Sequence, residues 1–151
     1  MNETCKRICE KMNGCLKAWE WLPILIARIT VGWVFAESGW GKLQHLDKVV
    51  EFFTSLGIPQ PQLQAPFVAG VELICGLLIV LGFLTRIASV PLIITMIVAI
   101  LTAKSEDLKS VSDLFGMSEY LYIVLLFWFI FSGGGKVALD SFLCKKNKVS
   151  Q

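Results

Sequence analysis

The stretch APFVAGVELICGLLIVLGFL, residues Ala65 to Leu84, decides the fold. It holds twenty residues and one charged side chain, the carboxylate of Glu72. At ~1.5 Å per residue, an α-helix of this length covers about 30 Å, the thickness of the hydrocarbon core of a bilayer. A carboxylate inside such a span is costly unless it faces protein or water, meets a cation or takes up a proton. The stretch therefore predicts a membrane-spanning helix in a bundle with a polar interior.

The composition of the chain supports the same class of protein. Of its 151 residues, 55% are hydrophobic and 17% are charged, whereas about 25% charged residues are usual in soluble domains. The hydrophobic residues form four blocks: Trp21 to about Phe35, Ala65 to Leu84, Ile87 to Ala103 and Leu114 to Phe131. We predict an all-α integral membrane four-helix bundle at residues 21–143, with a tail at residues 1–20 and a basic tail at residues 144–151.

Lysine and arginine are distributed unequally between the two ends of this predicted bundle. The end with both tails and the second turn holds nine, which are Lys6, Arg7, Lys11, Lys17, Arg86, Lys136, Lys145, Lys146 and Lys148. The other end holds four, which are Lys42, Lys48, Lys104 and Lys109. Because positively charged flanks stay in the cytoplasm, we predict that both termini are cytoplasmic. The cysteines of the first tail, Cys5, Cys9 and Cys15, are then expected to be reduced thiols.

The segment between the first two spans, Leu43 to Leu56, is too polar to cross a membrane. Its hydrophobic residues recur at helical spacing, which predicts a short amphipathic helix at the interface or folded over the mouth of the bundle. Gly57 suits a left-handed cap after this helix. The second turn, Gly82 to Arg86, is short enough to join spans two and three as a tight hairpin.

The candidate site consists of side chains of the first two spans that can face the interior of the bundle. We expect a polar pocket between these spans, beneath the amphipathic helix, lined by Arg28, Trp33, Glu37, Lys42 and Glu72. Helix geometry separates Arg28 and Glu72 by about 12 Å in depth, so the sequence predicts coupling through water or, with helix tilt, directly. Arg86 and Asp140 are predicted to share the cytoplasmic end. Small residues would let the two backbones approach closely, namely Gly32, Gly39, Gly41, Gly70 and Gly76.

Two interpretations of these charges stay open at the level of sequence. Buried ion pairs can serve only to specify helix packing. Alternatively, the charges form a proton path or a pocket for a quinone-like head group, with Glu72 as the proton acceptor. A bound haem or dithiol centre is disfavoured, because His45 is the single histidine and the chain has no C-x-x-C motif. We therefore predict no bound cofactor and no metal site, and any redox chemistry would need a diffusible quinone or a partner.

Several motifs together resemble those of the DoxX family. They are Arg28 four residues before Gly32, FAESGWGK at 35–42, LGIPQP at 56–61, GVEL at 70–73, GFLTR at 82–86 and GGGKVALD at 133–140. The resemblance covers about Arg28 to Leu143. It implies a four-helix bacterial inner-membrane protein, and relatives in that family include the small membrane subunit of thiosulfate:quinone oxidoreductase and a membrane component of oxidative-stress complexes.

Three functions are compatible with these observations. The resemblance favours a membrane subunit of a redox complex that interacts with quinone and with a soluble oxidoreductase. The charged side chains predicted at several depths of the bundle favour a small-molecule or proton-coupled transporter. The interpretation that these charges only specify helix packing favours a non-catalytic membrane scaffold. The partners considered are the lipid bilayer, the soluble oxidoreductase and a second copy of the chain. Nucleic acid is not expected, because the sequence has no basic stripe.

Overall fold

The computed structural model describes residues 19–104, 108, 110–135 and 137–140. In these ranges the regular elements are six helices: α1 (Trp21–Gln44), α2 (Leu46–Ser55), α3 (Pro61–Leu81), α4 (Thr85–Ala103), α5 (Val111–Gly116) and α6 (Ser118–Ser132). By length and composition, α1, α3 and α4 are able to cross a membrane. Most of the two predicted tails, with Cys5, Cys9 and Cys15, lies outside the described residues.

Helix α1 is longer than the apolar block that predicted it. The prediction ended the first span near Phe35, but the helix continues to Gln44 and includes the whole FAESGWGK stretch. In this last part, Phe35, Ser38, Gly39 and Lys42 recur at spacings of three and four residues and so share one helix face. The polar residues on this face point into the bundle, which is why the end of the hydrophobic block did not mark the end of the helix.

Helix α2 occupies the predicted amphipathic segment but is shorter, from Leu46 to Ser55 instead of Leu43 to Leu56. Leu43 and Gln44 belong to α1, and the chain bends at His45 before α2 begins at Leu46. Gly57 follows α2 at φ +70°, which confirms the predicted left-handed conformation. Helix α2 packs against α3 and contributes no buried residue of its own. It therefore lies on the surface of the bundle.

The predicted tight turn between the second and third apolar blocks is present. Helix α3 ends at Leu81, Gly82 adopts φ +70°, and α4 begins at Thr85. Two antiparallel helices thus meet at a three-residue connection, Gly82 to Leu84, which we call the hairpin end of the bundle. The opposite end, where α2 lies, is called the α2 end.

The fourth apolar block is divided into two helices. Met117 is extended (φ −77°, ψ 134°) between α5 and α6, so the predicted continuous helix from Leu114 to Phe131 does not form. Gly116, the last residue of α5, has a low helix propensity, which favours the end of that helix before Met117. With 15 residues, α6 is about 22 Å long. Lys104 and Glu119 form an ion pair of 2.9 Å between the end of α4 and the start of α6.

The helices pack as two pairs around one core. Helix α1 packs most extensively against α3, and α4 against α6, while the hairpin joins the two pairs. Phe35 of α1 meets Tyr122 of α6 edge to face, with ring centroids 5.5 Å apart. The buried core draws on four helices, with Val31, Phe35, Ile79, Ala88, Leu92, Leu126 and Phe129. Polar side chains of α1 and α3 that lie beside this apolar core need hydrogen-bonding partners of their own.

Candidate functional site

Glu72 is the most deeply buried ionisable group among the described residues, with 1% of its surface exposed. Its carboxylate accepts hydrogen bonds from Lys42, with Nζ at 2.5 Å from Oε1 and 2.6 Å from Oε2. The Ser38 hydroxyl donates to Oε2 at 3.0 Å. We call these three side chains the Glu72 cluster. The Lys42 ammonium and the Ser38 hydroxyl together offset the cost of placing a carboxylate inside an apolar helix.

The backbone of α1 approaches α3 closely enough to bring this cluster together. A Cβ at Gly39 would lie 2.7 Å from the Ala69 carbonyl oxygen, and it would also collide with the backbone nitrogen of Leu73. Ser38 and Lys42 flank this contact on α1, and Glu72 lies between the two contacted residues of α3. Because Gly39 has no side chain, α1 approaches α3 closely enough for Ser38 and Lys42 to reach the Glu72 carboxylate.

Only three of the five glycines predicted to permit close approach do so. Gly32 and Gly76 face each other, and a Cβ on Gly76 would lie 2.5 Å from the Ala36 nitrogen and 2.8 Å from the Gly32 oxygen. Gly39 makes the third contact. Gly41 and Gly70 have open space around the position of a Cβ.

Arg28 lies far from the Glu72 cluster. It is 3% exposed, and its guanidinium donates to the carbonyl oxygens of Gly134 and, at 3.2 Å, Val137. It also rests on Gly82 at the hairpin end, since a Cβ there would lie 2.8 Å from its Cζ. Ten residues of α3 separate Gly82 from Glu72, which is roughly 15 Å along the axis. The structure therefore does not bring Arg28 and Glu72 together as predicted. The two charges belong to separate groups at different depths.

The predicted end charges, Arg86 and Asp140, both lie at the hairpin end. Arg86 donates to the Phe131 carbonyl oxygen at 3.3 Å. The Asp140 carboxylate accepts from the Leu84 N–H at 3.0 Å, and the Asp140 N–H donates to the Gly82 carbonyl oxygen at 3.2 Å. The Asp140 bonds attach the segment after α6 to the turn between α3 and α4, the Arg28 bonds attach it to α1, and the Arg86 bond links α4 to α6.

A cavity of about 460 Å³ opens beside the Glu72 cluster, between α2, α3 and α4. Lys42 and Glu72 contribute to its wall, and α2 lies along one side. The remaining lining is mainly apolar, with Val49, Phe52, Phe53, Leu56 and Ile58 from the α2 region, Phe67 and Val68 from α3, and Ile94, Met96, Val98, Ala99 and Ala103 from α4. Lys48, Gln64, Thr95 and Thr102 complete it. We call this cavity the α2 pocket.

The α2 pocket differs in position from the pocket predicted between the first two spans. Close packing brings α1 and α3 into backbone contact at Gly32, Gly39 and Gly76, which leaves no room for a pocket at these contacts. Lys42 and Glu72 are the two predicted residues that line the α2 pocket. Trp33 is 63% exposed, Glu37 is exposed, and neither of them, nor Arg28, lines the pocket.

Ser38 and the pocket residues of α4 were not among the predicted site residues. The signal for Ser38 was available, because it precedes Lys42 by four residues and so faces the same way on a helix. The α4 residues carried no signal, since Ile94 and Val98 look like any lipid-facing residues of an apolar span. No group of three or more His, Cys, Asp or Glu side chains able to hold a metal occurs in the described part of the chain.

Comparison with known proteins shows which family the chain resembles. The DoxX family model matches residues 23–105, which includes α1 from Pro23 onward, all of α2, α3 and α4, and every member of the Glu72 cluster. No solved structure gives a significant match to the chain.

Three curated proteins illustrate the similarity. One named "Putative oxidoreductase CatD", from Bacillus subtilis, is 33% identical over 126 residues, covering 82% of this chain and 89% of that protein. An uncharacterized membrane protein of Mycobacterium tuberculosis is 34% identical over 137 residues, covering 82% of each chain. The inner membrane protein YqjF of Escherichia coli is 29% identical over 134 residues, covering 87% of this chain and 99% of that protein.

Proposed function

This chain belongs to the DoxX family of membrane proteins, and from that premise we propose that it is the membrane subunit of a redox complex in a bacterial inner membrane. In this proposal the α2 pocket receives the head group of a diffusible quinone. A soluble oxidoreductase is the partner that supplies electrons. The name of the Bacillus subtilis relative, a putative oxidoreductase, supports the reaction class, and the name of the Escherichia coli relative YqjF, an inner membrane protein, supports the membrane.

The observation that carries the proposal is the Glu72 cluster on the wall of an otherwise apolar pocket. A quinone is a flat apolar ring with two carbonyl oxygens, so it needs apolar walls and a hydrogen-bond donor at one edge. Lys42 Nζ has three N–H donors and directs two contacts to one carboxylate. One donor is left for a quinone oxygen. Ligand sites of this kind combine apolar lining with a few placed polar groups.

The chemistry assigned to the site is proton supply during quinone reduction. A quinone takes two electrons and two protons to become a quinol. The electrons come from the soluble oxidoreductase. The two protons come from water at the α2 end, which the partly exposed Lys42 side chain reaches, and they pass to the quinone oxygens through the Lys42 ammonium and the Glu72 carboxyl group, which water then protonates again. A carboxylate inside a membrane span is suited to this role, because it can exchange a proton with a neighbour in a region that excludes bulk water.

A scaffold function is the second candidate, and a specific contact favours it. Both Glu72 oxygens are already occupied by donors from α1, so the cluster also links the two most extensively packed helices. A purely structural cluster predicts that its loss changes only stability. A quinone site predicts that it also changes ligand binding.

Replacing Glu72 by Gln separates these two candidates. Gln keeps the size of the side chain but cannot ionise, so Glu72→Gln should weaken binding of a short-chain quinone to the purified protein by about tenfold, roughly the worth of one lost charged hydrogen bond. Calorimetric titration in detergent measures the affinity. Glu37→Gln is the matched control, because Glu37 is exposed on α1 outside the pocket, and it should bind as wild type. Equal affinity of Glu72→Gln and wild type, with only thermal stability altered, would favour the scaffold.

Four membrane crossings with both termini in the cytoplasm complete the proposal. The nine-to-four distribution of Lys and Arg supports this orientation, and α6 serves as the fourth crossing although at about 22 Å it is shorter than the bilayer core. Reporter fusions at Gln151 and at Gln62, which is in the first turn of α3, should therefore report opposite sides of the membrane. The same side for both fusions would contradict four crossings.

A further inference from the structure

The α2 pocket is open on one side. Helix α2 packs against α3 but has at most a slight contact with α4, so a gap remains between α2 and α4. Large apolar side chains that are themselves exposed border this gap, with Phe52 on α2, Phe67 on α3, and Ile94 and Val98 on α4. Lys48 of α2 is also exposed and lines the pocket, so the border is apolar on all three helices apart from this one charged side chain.

The gap lies at a depth where lipid chains surround the protein. On α4 the pocket lining begins at Ile94, eleven residues after the centre of the hairpin turn at Phe83. Glu72 lies eleven residues before that centre on α3, so both are roughly 16 Å from the hairpin end. From that depth the lining extends along α4 to Ala103, at the α2 end. Because α4 is an apolar helix long enough to cross a membrane, the side opening faces hydrocarbon and not water.

We infer that the α2 pocket takes its ligand sideways from the bilayer, through the gap between α2 and α4, and that this ligand carries a long apolar chain that lies across Ile94 and Val98. This inference rests on the proposed function, which supplies the polar head group at Glu72 and Lys42. The apolar chain would pack on the exposed border residues, which line the same pocket as Glu72 and Lys42. A water-soluble molecule would have to pass the same apolar border.

Two neighbouring residues of α4 provide a matched pair of variants. Val98 is 44% exposed and lines the pocket, whereas Ile97 is 43% exposed and does not. Both are β-branched residues on the outer surface of the same helix, so a tryptophan at either position changes lipid contact similarly. Only Val98→Trp places its ring at the side opening.

The experiment measures binding of three probes to wild type, Val98→Trp and Ile97→Trp in lipid nanodiscs. The probes are a quinone with an isoprenoid chain, the same quinone ring without the chain, and an isoprenoid alcohol without the ring. We expect Val98→Trp to bind the chain-bearing quinone about tenfold more weakly, equivalent to roughly two methylene groups left unburied. It should bind the bare ring as wild type does, and Ile97→Trp should match wild type with all three probes.

The outcomes separate this inference from the proposed function. Equal affinities of Val98→Trp and Ile97→Trp for the chain-bearing quinone, with the bare ring still bound, would overturn the side entry and leave the quinone site intact. In a second outcome, the isoprenoid alcohol binds and Val98→Trp weakens its binding, while the bare ring does not bind and Glu72→Gln has no effect. This outcome would overturn the quinone site and leave the side entry intact. Absence of binding by all three probes would overturn both.

Discussion

Lys42→Met should destabilise the folded protein by about 2 to 4 kcal/mol, because it leaves the Glu72 carboxylate buried without its cation. Removing one partner of a buried pair costs about 3 to 5 kcal/mol when both groups are enclosed, and we lower this range because the Lys42 side chain is 31% exposed. Glu72→Gln should cost less, since the freed Lys42 ammonium can reach water. The free energy of unfolding from denaturing-detergent titrations in mixed micelles measures both effects.

A double-mutant cycle then tests whether the two side chains are coupled. The variant with both Lys42→Met and Glu72→Gln should lose less stability than the two single variants together, because it strands no charge. Lys48→Met is the matched control, since Lys48 also lines the α2 pocket but is exposed on α2. Its stability should stay within about 0.5 kcal/mol of wild type. Strict additivity in the cycle would show that the contact contributes nothing.

Gly39→Ala and Gly76→Ala should each destabilise the protein by about 1 to 3 kcal/mol, the usual cost of overpacking. At both positions the new Cβ would meet backbone atoms of the facing helix, and backbone cannot move aside without separating α1 from α3. Gly39→Ala should also weaken quinone binding, because separation at this contact moves Ser38 and Lys42 away from Glu72. Unfolding titrations and the quinone titration check the two parts.

Two other glycines of the same helices serve as controls. Gly41 on α1 and Gly70 on α3 have open space where a Cβ would be. Gly41→Ala and Gly70→Ala should therefore be neutral, or stabilising by up to about 1 kcal/mol through the higher helix propensity of alanine. Losses as large as those of Gly39→Ala would show that close helix contact is not the reason for the glycines.

Much of the candidate site followed from single residues whose chemistry conflicts with their surroundings. Glu72 stands out because it is the one charge in a twenty-residue apolar stretch. Lys42 was predicted to line the same pocket, although Arg28 was the residue predicted to be coupled with Glu72. The prediction placed the pocket between α1 and α3, whereas the α2 pocket lies between α2, α3 and α4. Glycines that let two helices approach closely also leave less room between them.

The sequence by itself determined where the chain becomes apolar, where it turns at Gly57 and Gly82, and which buried charge needs a partner. These are local properties, since an apolar block, a glycine at positive φ and a lone carboxylate each impose their constraint on the residues beside them. Only the tertiary structure decided that Glu72 pairs with Lys42 and Ser38 while Arg28 holds the segment after α6. The reason is geometric: the partner of a buried charge depends on the rotation and depth of two packed helices, and backbone contacts at Gly32, Gly39 and Gly76 fix both.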